Sequence, residues 1–164
     1  MQKKLIVDSE KCTGCEICEF VCSAVHMDVF NPYYSRINVI RIEPAINFAL
    51  SCQFCENPPC ETVCPWNALE KDEKTGIMKL NEDKCVGCGF CVRACDFGAI
   101  SMSLKEERIF ICDQCIEFED GPQCVKFCPE NAIKFEPFEL YSQKRRVDAT
   151  SRLIIELANA RSQD

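Results

Sequence analysis

With 164 residues, 47% of them apolar, and a formal charge of −7, the chain has the size of one compact domain or two small ones and the wrong sign of charge for a nucleic-acid partner. Sixteen residues are cysteine; removing those roughly ten percentage points leaves about 37% apolar, below the usual globular range, so an ordinary hydrophobic core would be thin. No stretch reaches the apolar length of a membrane span, and the start, MQKKLIVDSEK, offers only Leu5, Ile6 and Val7 before Asp8. That is too short for a secretory signal, and no twin-arginine pair is present. A soluble cytoplasmic protein is expected, in which thiols stay reduced and act as ligands.

The first landmark along the chain is the quartet Cys12, Cys15, Cys18, Cys22, spaced C-x2-C-x2-C-x3-C, the run that holds a four-iron cluster in bacterial ferredoxins. A short helix over 16–25 is predicted there, because spacings of three and four place thiols on one helical face. His26, the only histidine, follows this loop and reads as a surface or hydrogen-bonding residue rather than an acid or base. A strand pair is predicted over 36–43 and 45–50, split by Pro44. It leads into the second quartet, Cys52, Cys55, Cys60, Cys64, with a middle gap of four residues. Residues 66–70 and 77–80 read as strands around a turn at Lys74, Thr75 and Gly76.

The third quartet, Cys85, Cys88, Cys91, Cys95, repeats the spacing of the first, with a helical turn expected over 89–94. Residues 99–104 alternate apolar and polar, as a half-buried strand does. A strand over 108–111 runs into the fourth quartet, Cys112, Cys115, Cys124, Cys128, whose middle gap is eight residues, and 132–135 reads as a short closing strand. The tail over 142–161 repeats Val147, Ile154, Leu157 and Ala158 at helical spacing with charges between. An amphipathic helix is expected, packed on this domain or on a partner, with Lys144, Arg145 and Arg146 as a solvated face. The internal repeat implies an α+β fold: an inner two-cluster ferredoxin-like module over 52–105, nested inside an outer one over 1–51 and 106–141, followed by the C-terminal helix over 142–164.

A cubane presents four irons at tetrahedral corners, each taking one soft thiolate, and a C-x2-C-x2-C loop covers three corners. The fourth ligand comes from the paired motif in two-cluster ferredoxins, and local spacing leaves three ways to pair the quartets. The compact inner module favours exchange between the second and third. On that reading Cys52, Cys55, Cys60 and Cys95 hold one cluster, and Cys85, Cys88, Cys91 and Cys64 its neighbour. The outer pair follows, with Cys12, Cys15, Cys18 and Cys128 in one site and Cys112, Cys115, Cys124 and Cys22 in the other. Four 4Fe-4S clusters then use every thiol. Gly14, Gly87 and Gly89 sit inside the tight loops, where positive φ and close approach to sulfur are expected. Trp66, Phe97 and Phe127 neighbour ligand cysteines and are expected to shield the clusters from water.

Zinc sites join well-separated C-x2-C pairs rather than packing four thiols within eleven residues, and disulfides do not suit the compartment. No radical SAM run, dinucleotide-binding glycine motif or Walker loop is present, so no catalytic residues are assigned and a non-catalytic electron carrier is expected. With four quartets in this order and loosened spacing in the second and fourth, the chain resembles the four-cluster iron-sulfur subunits of the dimethyl sulfoxide reductase and formate dehydrogenase type, over about residues 3–138. The resemblance implies nested pairing of the quartets and a row of clusters linking a catalytic subunit to a second redox partner. Two departures stand out: Asp96 follows Cys95 where proline is common, and Ser23 follows Cys22. The favoured partner is a tungsten or molybdenum pterin enzyme such as an aldehyde oxidoreductase, with a flavoprotein or another carrier at the far end. The alternatives are a carbon monoxide dehydrogenase or hydrogenase partner, and a freely diffusing polyferredoxin. Copies could also stack to extend the path.

Overall fold

Strands of three to five residues supply four separate two-stranded ladders instead of one broad sheet, three of them hairpins and one joining distant segments. In the computed structural model, which describes residues 3–43 and 46–161, β1 (Lys3–Val7) pairs antiparallel with β8 (Ile133–Pro137), Leu5 opposite Phe135. This ladder joins the two ends of the cysteine-bearing region; β1 was not foreseen in the sequence. Strands β2 (Asn38–Ile42) and β3 (Ile46–Leu50) form a hairpin within the predicted pair. The break at Pro44, the first residue of the second predicted strand (Ala45) and the last three residues of the predicted tail lie outside the described residues.

Between the middle quartets, β4 (Leu69–Lys71) pairs with β5 (Met78–Leu80). Asp72 fixes the connecting turn by accepting from the backbone N–H groups of Lys74 (3.0 Å) and Thr75 (2.8 Å). Strands β6 (Ser101–Ser103) and β7 (Arg108–Phe110) form the fourth hairpin. Each of these four strands overlaps its predicted segment and is shorter, because the ligand loops on either side take residues out of the ladders, whereas β8 runs two residues past the predicted 132–135.

Helix α1 (Ile17–Met27) carries Cys18 and Cys22 on one face, four residues apart. Helices α2 (Pro59–Thr62), α3 (Phe90–Ala94) and α4 (Gln123–Lys126) are single turns bearing Cys60, Cys91 and Cys124. Pro59 opens α2, where its missing N–H costs nothing. Helix α1 packs on α4, and α2 on α3. One continuous apolar cluster runs through both pairs, centred on Ile37, Leu69, Met78 and Ile109, and the thiols of Cys18, Cys22, Cys60, Cys91, Cys112 and Cys124 belong to it. The α+β architecture is thus built around its cysteines.

The long helix α5 (Phe138–Arg161) starts four residues before the predicted position. Lys144 pairs with Glu136 at 2.7 Å and Arg145 with Glu10 at 3.8 Å, so two of the three basic residues read as a solvated face tie the helix down instead. Beyond that turn the helix leaves the domain: Val147, Ile154 and Leu157, the predicted apolar stripe, are all exposed. Packing on this domain is not their role.

Candidate metal centres

Every quartet opens with the same backbone move. The residue before the second cysteine, Gly14, Phe54, Gly87 or Gln114, has φ of 70°, 50°, 62° and 58° in turn, the left-handed region that curls the C-x2-C loop. At Gly87 an added β-carbon would lie 2.1 Å from the Glu107 backbone carbonyl oxygen, so only glycine fits, and at Gly14 it would lie 2.7 Å from the Asn47 side chain, which would have to shift. Phe54 and Gln114 accept about 1–2 kcal/mol of left-handed strain each. Burial holds them there, with Phe54 at 2% exposure and the Gln114 side-chain amide donating to the Lys3 carbonyl.

The thiols gather around four recesses. Cys12, Cys15, Cys18 and Cys128 line one, and Cys52, Cys55, Cys60 and Cys95 another. Cys64, Cys85, Cys88 and Cys91 line a third, and Cys22, Cys112, Cys115 and Cys124 a fourth. All sixteen thiols are free. Trp66 and Phe97 stand at the walls of the third and second recesses but remain about half exposed, as does Phe127, so the expected shield is partial.

Backbone donors to sulfur were expected at the loop glycines; those that follow the last cysteine of a quartet were missed, although a signal for them exists. The last cysteines of quartets two, three and four each accept an N–H from an alanine four residues on: Ala68 to Cys64 (3.3 Å), Ala99 to Cys95 (3.4 Å) and Ala132 to Cys128 (3.3 Å). Asn67, Gly98 and Asn131, just before those alanines, have φ of 48°, 63° and 49°. Residue types that tolerate the left-handed region turn the N–H back onto the sulfur. The recurring C-x-x-[N/G]-A pattern is that signal. Quartet one departs from it: Ser23, where proline is common, bonds to the Phe20 carbonyl at 3.0 Å and α1 continues past Cys22. Cys22 instead accepts from the N–H of Arg36 at 3.3 Å.

Without a metal, eight of these thiols resist ionisation. Burial pushes Cys18 and Cys52 up to about 12 and Cys91 and Cys115 up to about 11. It likewise raises Cys22, Cys60, Cys112 and Cys124. At Cys64 burial acts in the same direction, but the N–H groups of Ala68, Trp66, Leu69 and Asn67 outweigh it and the thiol lies below its ordinary value. Four soft donors around one recess, in the set of Cys22, Cys112, Cys115 and Cys124 all raised by burial, are what a cationic iron-sulfur core completes, because its charge keeps the sulfurs deprotonated. The residues fit four 4Fe-4S groups.

His26 is not a surface residue. Its ring is nearly buried, and its Nε2 lies 3.6 Å from the Cys115 sulfur and 3.6 Å from Asp113 Oδ1; burial, then the Arg36 charge, lowers its affinity for a proton. The ligand atoms of His26, Asp113 and Cys115 lie within 4.8 Å of one another, but Asp113 is engaged by Arg36 and Cys115 lines the fourth recess. Among the described residues, no helix is long and apolar enough to cross a membrane.

Comparison with known proteins gives a family match over residues 45–137, to the family described as the 4Fe-4S dicluster domain. The polyferredoxin-like subunit of an aliphatic sulfonate oxidoreductase from Pyrococcus furiosus is 40% identical over 77% of this chain and 71% of its own length. The electron transport protein HydN of Escherichia coli K12 is 31% identical, over 89% of this chain and 97% of its own. A chain of the solved active-site complex BamBC of benzoyl coenzyme A reductase superposes with a TM-score of 0.49 at 25% identity, covering 93% of this chain and 96% of that one.

Proposed function

Because this chain belongs to the 4Fe-4S dicluster family, whose members carry electrons in oxidoreductase complexes, we propose that it is a non-catalytic subunit whose nested quartets hold four clusters in fixed ligand sets. Those sets are Cys12, Cys15, Cys18 and Cys128; Cys52, Cys55, Cys60 and Cys95; Cys85, Cys88, Cys91 and Cys64; and Cys112, Cys115, Cys124 and Cys22. The observation that carries the assignment is that four recesses are each lined by one such set. Quartets one and four form the outer module and two and three the inner one, in keeping with the packing of α1 on α4 and α2 on α3.

A bound 4Fe-4S cluster stores and passes single electrons. The chain supplies the rest. Its cysteines fix each core at four points, its left-handed loop residues bring backbone N–H groups toward sulfur, and its apolar cluster excludes water between the sites. Cys15 and Cys88 are the exposed cysteines, so electrons enter and leave at their two recesses, the other two lying deeper.

The catalytic partner is a tungsten or molybdenum pterin oxidoreductase in the cytoplasm, such as an aldehyde oxidoreductase, with a flavoprotein or another carrier on the opposite side. The relative that serves an aliphatic sulfonate oxidoreductase supports a subunit role. Anaerobic purification of the native protein tests this reading. About sixteen irons per chain with a co-eluting tungsten or molybdenum subunit is the expected result. A lone brown chain would make it a diffusing polyferredoxin, and a nickel-containing partner would point to carbon monoxide dehydrogenase or hydrogenase. Deleting residues 142–164 should release the catalytic subunit while the visible absorbance stays.

A further inference from the structure

The recess of Cys22, Cys112, Cys115 and Cys124 differs from the others in what reaches its sulfurs. Cys22 accepts from the N–H of Arg36 at 3.3 Å, Cys112 from that of Gln114 at 3.4 Å, and the third approach, at Cys115, is a side chain. No other side-chain N–H reaches a cysteine sulfur among the described residues. The geometry settles which neighbour of His26 is its partner. Asp113 Oδ1, also 3.6 Å away, is beyond hydrogen-bond range for oxygen, whereas that separation suits the larger sulfur atom. Asp113 is moreover occupied, with Oδ1 accepting from the N–H of Cys115 at 3.0 Å and Oδ2 paired with Arg36.

The ring has little freedom. It sits in the last turn of α1 with its side chain 9% exposed and meets Phe118 edge to face, centroids 6.1 Å apart at 86°. A thiolate facing Nε2 accepts a hydrogen bond, which selects the tautomer with the proton on that nitrogen.

We propose that His26 is a positioning residue whose Nε2–H hydrogen-bonds to the Cys115 sulfur and raises the reduction potential of the cluster in this recess. A donor at the ligand sulfur withdraws electron density, and the extra negative charge of the reduced form is stabilised more than that of the oxidised form. The inference rests on the assignment of Cys115 as a ligand made above.

The test exploits the fact that the chain has a single histidine. In protein loaded anaerobically with clusters and grown on 15N-histidine, pulsed electron-nuclear double resonance of the reduced protein should detect a nitrogen coupled to one cluster, together with an exchangeable proton lost in D2O. In His26→Phe, which keeps the ring and removes the donor, one of the four midpoints should move to a more negative value. The oxidised-to-reduced ratio at fixed potential should change by up to about tenfold, equivalent to about 59 mV for a one-electron couple. His26→Gln, which restores an N–H, should return most of that shift. Absence of nitrogen coupling in fully loaded wild-type protein overturns the proposal and leaves the ligand assignment standing, as do midpoints unmoved in His26→Phe. Iron well below about sixteen atoms per chain in the wild type overturns the assignment and the proposal together. Should His26→Phe load poorly, the isotope measurement on wild-type protein decides alone.

Discussion

The recess of Cys22, Cys112, Cys115 and Cys124 and that of Cys64, Cys85, Cys88 and Cys91 use the same donor chemistry in opposite surroundings. In the first, all four cysteines are buried, and burial raises every thiol in the set. In the second, Cys88 is exposed and the N–H groups around Cys64 bring its thiol below the ordinary value. Four cysteines at ferredoxin spacing therefore define a site without defining its electrostatics. Solvent access and second-sphere donors do that, and both come from packing.

The largest expected effect comes from taking one ligand from each recess. Cys112→Ala should remove about four irons and cost more than about 4–5 kcal/mol, the range that marks loss of a metal site, because an apolar wall around uncompensated thiols is left behind. Cys88→Ala should also lose iron but destabilise by roughly half as much. Iron analysis and anaerobic thermal unfolding measure both; equal losses of stability would break the contrast between a buried and an exposed site.

Next in size is Phe54→Ala in the second quartet, expected to cost about 3–5 kcal/mol as a fully buried aromatic is lost, measured by anaerobic denaturant titration. Near the exposed recess, Gly87→Ala should cost about 2–3 kcal/mol, since left-handed strain adds to a collision with the Glu107 carbonyl oxygen. Gly98→Ala meets no atom within 4 Å and should cost only about 1 kcal/mol. A similar loss in the two variants would mean that the β6–β7 turn yields to the third quartet.

The smallest effect is expected at the Asp72 turn, away from either recess. The Lys79 ammonium, followed by the Thr75 donors, holds the Asp72 carboxyl well below the usual carboxylate range. A depressed native pKa gives stability that is present above the unfolded value near 4 and is lost as pH falls through the native one. Asp72→Asn keeps the turn acceptor and removes the charge. It should lower stability slightly at pH 7 and flatten the part of the acid-side loss that belongs to this hairpin, as read by anaerobic melting from pH 7 down to about 3.

Several parts of the molecule were legible from local sequence. The C-x2-C loops, the Lys74 to Gly76 turn and the alternation over 99–104 each encode a conformation within a few residues, so the loops, the three hairpins and helices α1 and α3 fall near where the sequence puts them. The left-handed positions were legible at Gly14 and Gly87 but hidden at Phe54 and Gln114, where the same φ is imposed by burial and not invited by the residue. The apolar stripe of α5 was read correctly as helical spacing, yet spacing carries no information about what it meets, and Val147, Ile154 and Leu157 face solvent.

By itself the sequence determined the thiols, their grouping into four loops and the cluster chemistry they serve, because ligand spacing within a loop is fixed by bond lengths and helical period. Only the tertiary structure decided that β1 closes against β8, that Arg36 serves the sulfur of Cys22, and that His26 stands beside Cys115, a residue 89 positions away. Such contacts depend on how distant segments pack around a shared core, and no periodicity within one segment encodes that.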